Sequence, residues 1–153
     1  MSNTHKTIDH STSTSIDAPV DIVWDVFSNV ERWHTWTASI TSVELLDGEL
    51  RVGARAKVQQ PRLPTVVWTV TALEPGRSWT WEATGPGAHT VATHVLRPVG
   101  DSTVAEMSIS NGGVVGRLLG RVWRSLTARY MGLEAAGLKQ RSEQIAAGVA
   151  PSA

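Results

Sequence analysis

The chain is 153 residues long, formally uncharged at neutral pH, with only 18% charged residues and no cysteine. A chain of this length makes one domain and buries roughly 68–70% of its unfolded surface, enough for a core that encloses a cavity. The charge balance excludes a global field for nucleic acid or anionic membrane. The missing cysteines exclude disulfides, thiolate metal sites and thiol nucleophiles. No apolar run nears the roughly 18 residues of a membrane span, so the chain reads as soluble and cytoplasmic.

In chain order, residues 6–16 alternate and predict a first strand with Ile8, His10, Thr12, Thr14 and Ile16 on one face. Asp17-Ala18-Pro19 then predicts a capped helix start. Val20, Val23, Trp24 and Phe27 give that short helix one apolar stripe. "ERWHTWTAS" (31–39) predicts a second short helix or loop, and it crowds Trp33, His34 and Trp36 together. Strand patterns follow at 40–46, 54–60, 65–73 and 78–84, then on either side of Gly100-Asp101 up to residue 111. From Val115, the residues Leu119, Val122, Trp123, Leu126, Tyr130, Leu133 and Gly137 recur at helical spacing, predicting one long helix over about 114–145. Residues 1–5 and 148–153 are expected to be flexible, leaving 6–147 as a single domain.

Turn geometry sets the strand register. A two-residue loop at Pro75-Gly76 places Ala72 opposite Trp79, Val70 opposite Trp81 and Trp68 opposite Ala83. A loop at Pro86-Gly87 places Trp81 opposite Ala92 and Trp79 opposite His94. A loop at Gly100-Asp101 places Leu96 beside Ala105 and His94 beside Met107. One sheet face then collects Trp68, Trp79, Trp81, His94, Met107 and Ile109. The other collects Thr71, Thr80, Glu82, Thr93, Arg97, Glu106 and Ser108.

An antiparallel sheet with one apolar face and one long amphipathic helix to cover it is an α+β arrangement. The segments "IDAPVDIVWDVFSNVERWHTW", "VGARAKVQQPRLPTVVWTVTALEPGRSWTWEA" and "HTVATHVLRP" carry a resemblance over roughly residues 6–145. The chain resembles the START-related helix-grip (SRPBCC) superfamily, in particular its polyketide cyclase/dehydrase-like members. The resemblance implies about seven strands curved around the C-terminal helix, two short helices after the first strand, and an apolar cavity between sheet and helix. Trp33, His34 and Trp36 then fall where such proteins close one end of the cavity.

In that frame the expected ligand-binding residues are Trp36, Gln60, Trp68, Trp79, Trp81, Ala92, His94, Met107, Ile109, Trp123 and Tyr130. His94 is the candidate catalytic residue, since burial keeps an imidazole neutral and able to orient a carbonyl or move a proton. Arg62, between Pro61 and Pro64, is a candidate for an anionic ligand group at the mouth.

The five His show no metal-type spacing, and there is no Gly-x-Ser-x-Gly elbow, P-loop or GxGxxG. Neither a metal nor a cofactor is expected. Asn111-Gly112-Gly113 before the long helix reads either as an anion cradle or as a strand-to-helix corner.

The expected function is binding of a small or medium-sized apolar molecule, aromatic ones included. One alternative is a polyketide cyclase/dehydratase-like enzyme acting on a carbonyl compound. Another is a peripheral module that handles lipid or quinone or docks on a partner. Its basis is the basic stretch 114–153, with six Lys/Arg against two Glu and Arg117, Arg121 and Arg124 on one face. A solvated helix face is the simpler account, so neither membrane nor nucleic acid is an expected partner.

Overall fold

The computed structural model describes residues 8–148, and its seven strands form one antiparallel sheet. After β1 (His10–Ile16) come α1 (Val20–Ser28) and a 3-10 helix (Val30–Thr35). The meander runs β2 (Ser42–Leu45), β3 (Arg55–Gln59), β4 (Val66–Glu74), β5 (Ser78–Gly85), β6 (Ala88–Val99) and β7 (Ser102–Gly112). Then α2 (Val114–Val122) and α3 (Arg124–Ala146) follow. The strand order β1-β7-β6-β5-β4-β3-β2 brings the first strand onto the last. This is the helix-grip fold, α+β in class. The expected flexible termini, apart from Gly148, lie outside the described residues, as do the first two residues of the expected first strand.

Two turns set most of the register. Gly85 pairs with Ala88 and Val99 with Ser102, so both loops hold two residues. Gly87 (φ 70°) and Gly100 (φ 60°) supply the left-handed conformation such loops require. Trp79 therefore sits opposite His94, Trp81 opposite Ala92, and His94 opposite Met107.

The β4–β5 corner differs from the sequence expectation. Glu74 pairs with Ser78 across a three-residue loop, which puts Leu73 opposite Trp79 and turns Ala72 out to solvent. A bulge between Val70 and Ala72 absorbs the extra residue, and Val70 meets Trp81 as expected. Farther out, Ile8 is exposed and takes no part in the inner face of β1. The start of α1 carries no side-chain cap from Asp17. Instead, the Asp17 backbone N–H donates to Glu143 Oε1 of α3 at 3.0 Å.

The long helix is also not continuous. It breaks at Trp123 (φ −100°, ψ 15°), because its two halves pack on different neighbours. α2 rests on β6 and β7, whereas α3 packs on β1 and α1. The small residue Gly116 lets α2 approach the backbone of Ala88. That choice of face turns Val115 and Val122 outward, against expectation.

The core is aromatic at its centre. Phe27 stacks on Trp33 with centroids 5.7 Å apart and meets Trp79 edge-on at 4.8 Å. Trp33 Nε1–H donates to the Phe27 carbonyl at 2.8 Å, which pins the 3-10 helix onto α1.

Candidate functional site

A cavity of about 470 Å³ lies between the inner sheet face and the two C-terminal helices. Its sheet wall is built by the alternation of β5, β6 and β7, which turns Trp81, Ala92, His94, Met107 and Ile109 inward. Trp68 of β4 joins them, stacked on Trp81 at 5.9 Å. The helix wall comes from Leu119 and Trp123 at the α2–α3 break, then Tyr130 and Glu134 one turn apart on α3. Trp33 closes the inner end, against Trp81 and His94 at 5.9 Å each.

Two expected site residues lie elsewhere. Trp79 is fully buried beneath His94, since the large rings on β5 and β6 stack directly and only the imidazole reaches the cavity. Trp36 lies in a separate surface groove with Arg32 and Arg141. Its backbone presses on α3 at Gly137, where a Cβ would collide with the Trp36 carbonyl oxygen.

His34 is exposed, as is Arg62, whose φ of 66° is left-handed. The cavity rim beside Arg62 is formed instead by Leu63, Pro64 and Thr65. Tyr130 Oη–H donates to the Pro61 carbonyl and ties that rim loop to α3.

The Asn111–Gly113 corner is not an open anion cradle. The backbone N–H groups of Val115 and Gly116 both donate to the Gly87 carbonyl, at 2.9 and 3.1 Å, so the start of α2 is already occupied.

His94 is buried, and its Nδ1 lies 3.2 Å from the Trp79 carbonyl oxygen. A carbonyl only accepts, so Nδ1 carries the proton and Nε2 keeps a lone pair. Burial lowers the His94 pKa to about 3, against the smaller raising effect of that hydrogen bond. The imidazole is therefore neutral, an acceptor rather than a cation.

Glu134 joins the cavity wall although it is not among the residues expected there from the sequence. Burial raises its carboxyl to about 7, partly offset by a hydrogen bond from Ser39 Oγ at 3.5 Å. Ser39 is itself held by its neighbours. Thr37 Oγ1 lies 2.8 Å from Ser39 Oγ, and Gln60 Nε2 donates to the Ser39 carbonyl at 3.3 Å. The signal available was position: Glu134 follows Tyr130 by four residues and shares its helix face.

A sheet gripping C-terminal helices around a walled cavity defines the class: a helix-grip protein with an internal cavity. A family model described as "Polyketide cyclase / dehydrase and lipid transport" matches residues 7–143, and the chain belongs to that family. Among solved structures it is similar to XoxI from Bacillus cereus, with 15% identity and a TM-score of 0.70 over 89% of this chain and 96% of that one. It is also similar to hypothetical protein jhp0584 from Helicobacter pylori, with 13% identity, a TM-score of 0.73 and 88% of each chain covered. A third is the di-domain ARO/CYC BexL from the BE-7585A biosynthetic pathway, with 15% identity and a TM-score of 0.66. There 89% of this chain aligns with 46% of BexL. At these identities the likeness shows the fold alone. A sequence search of curated proteins returned no match.

Proposed function

We propose that the protein binds a small or medium-sized apolar molecule with an aromatic or similarly flat body in the cavity between sheet and helices. The observation that carries this reading is the cavity wall. A volume of about 470 Å³ falls within the range of small-molecule sites, and the lining is mostly aromatic and aliphatic with polar groups such as Gln60, His94, Asn111 and Glu134 set among them. Trp68, Trp81 and Trp123 offer flat faces for a ring, and His94 Nε2 offers one acceptor. Native mass spectrometry of freshly purified protein tests the reading, together with displacement of the neutral dye N-phenyl-1-naphthylamine. A retained small molecule or saturable dye uptake is expected. A chain that takes up neither sinks it.

A second reading, a cyclase- or dehydratase-like enzyme, is favoured by Glu134 rather than by His94. A general acid or base works best when its pKa lies near the operating pH. His94, at about 3, is too weak a base at neutrality, whereas Glu134, at about 7, is matched to the task. Conversion of a bound carbonyl compound, lost in Glu134→Gln and kept in His94→Gln, would establish it.

A third reading, lipid or quinone handling at a bilayer, has the outward face of α2 in its favour. Val114, Leu118 and Val122 are 85%, 61% and 67% exposed, beside Arg117 and Arg121. Such a basic, apolar stripe suits an anionic interface.

A further inference from the structure

We infer that the Glu134 end of the cavity recognises a basic nitrogen, so that the preferred ligand is an apolar molecule carrying an amine, held as its ammonium against the carboxylate. The inference rests on the cavity-binding reading above and adds the ligand's polar group to it.

Glu134 has no structural task that explains it. At this helix position, facing an apolar cavity, a leucine or methionine would fill space without the cost of desolvating a carboxyl. Its one hydrogen bond, from Ser39 Oγ at 3.5 Å, is long for a donor to a charged acceptor. An ionised carboxylate can accept about four hydrogen bonds, so most of its capacity is unused.

Several neighbouring donors bond elsewhere. Tyr130 Oη–H goes to the Pro61 carbonyl, one Gln60 Nε2–H to the Ser39 carbonyl, and Ser39 N–H to Thr37 Oγ1. From β6, His94 offers a neutral ring whose one N–H is spent on the Trp79 carbonyl. Among the described residues lining the cavity, His94, Tyr130 and Glu134 are the ionisable ones, and no Lys or Arg joins them.

The cavity therefore holds one site for negative charge and none for positive. A ligand anion would meet no counter-charge and would face a carboxylate in a poorly solvated space. A neutral alcohol supplies one donor and no charge, so it meets the carboxyl's needs only in part. An ammonium supplies up to three donors and the missing charge together. Its arrival deprotonates Glu134, because a facing cation favours the charged form.

Three ligands with one skeleton separate these cases: 2-(2-naphthyl)ethylamine, 2-(2-naphthyl)ethanol and 2-naphthylacetate, titrated calorimetrically at pH 7 into wild type and Glu134→Gln. In wild type the amine should bind about tenfold or more tighter than the alcohol, the scale of a hydrogen bond to a charged group, with the carboxylate weakest. Its heat should vary with the buffer's ionisation enthalpy as the carboxyl gives up its proton. In Glu134→Gln the amine should fall to within about threefold of the alcohol. Should that variant not fold, the wild-type ranking and the buffer dependence decide. An alcohol that binds as tightly as the amine overturns the inference while leaving the cavity reading intact. So does an amine preference that survives Glu134→Gln. Failure of all three ligands to bind would remove the cavity reading and this inference with it.

Discussion

His94 stacks on Trp79 with ring centroids 4.1 Å apart and planes 12° apart, while its Nδ1–H donates to the Trp79 backbone carbonyl. The pair is a cross-strand couple on β5 and β6, and it holds the imidazole neutral against the cavity. The unfolded chain binds this proton near 6.5 and the folded chain only near 3. The stability involved is complete above pH 6.5 and is lost progressively as pH falls toward 3. Nitrogen-15 spectra of His94 should show the Nδ1–H tautomer, unprotonated, at pH 5. His94→Gln should lose the part of the acid-unfolding limb that wild type shows below pH 6.5. A protonated His94 at pH 5 would contradict this arrangement.

Glu134 has the opposite sign. Its folded carboxyl keeps the proton up to about 7, whereas the unfolded one releases it near 4.5. Its contribution is therefore complete below pH 4.5 and lost as pH rises through 7. Glu134→Gln fixes the neutral form with nearly the same shape. Urea titrations should find the variant close to wild type at pH 4.5 and more stable at pH 8, by on the order of 2–3 kcal/mol. A variant less stable than wild type at pH 8 would mean that the folded protein favours the carboxylate.

Two glycines on α3 should respond oppositely to alanine. At Gly137 a Cβ would strike the Trp36 carbonyl, which is backbone and cannot swing away. Gly132 has open space around it and ordinary helical dihedrals. Gly137→Ala should cost about 1–3 kcal/mol through overpacking. Gly132→Ala should add roughly 0.5–1 kcal/mol, the usual helical preference for alanine. Denaturant midpoints of the two variants give the answer. Equal shifts would place the 36–137 contact elsewhere.

The sequence carries the fold where short-range chemistry decides it. Pro86-Gly87 and Gly100-Asp101 are two-residue turns, so counting outward from them puts His94, Ala92 and Met107 on one face. Counting outward from Pro75-Gly76 does not work, because the loop there is three residues long and a bulge at Thr71 hides the difference. A period of two contains no information about bulges. The break at Trp123 has no proline or glycine beside it to mark it. It follows from the separate surfaces that α2 and α3 must cover, a tertiary demand. Glu134 was legible as a position and not as a role, because a lone Glu on a helix normally reads as solvated. Only the assembled cavity shows that this one is half-buried in its wall.

Ala92 tests the cavity most directly. It is buried on β6 between Trp81 and Ile109 of the flanking strands, and its methyl leaves the space in front of it open. Ala92→Phe should occupy that space, with a stability cost of about 1–3 kcal/mol. Uptake of N-phenyl-1-naphthylamine should fall sharply in the variant, while Val99→Phe, at the exposed end of β6 away from the cavity lining, should leave it unchanged. Equal uptake by both variants would place the dye outside the cavity.

The outward face of α2 calls for a measurement of its own, because it bears on how a ligand reaches the interior. No acidic residue occurs from Met107 to Leu133, while Arg117, Arg121, Arg124 and Arg129 all do. The same helix presents Leu119 to the cavity and Leu118 to solvent, so whatever holds its outer face also bears on the cavity wall. Each basic residue near an anionic bilayer is worth about 1 kcal/mol at low ionic strength, and the attraction is screened within a Debye length. If α2 docks on membrane, wild type should float with phosphatidylserine-containing vesicles at low salt and not with purely zwitterionic ones. High salt should release it. Leu118→Ser with Val122→Ser should weaken flotation with the charge unchanged, and Arg117→Gln with Arg121→Gln should weaken it with the apolar stripe intact. A wild type that floats with neither kind of vesicle at low salt ends the bilayer reading, leaving these residues as a solvated helix face.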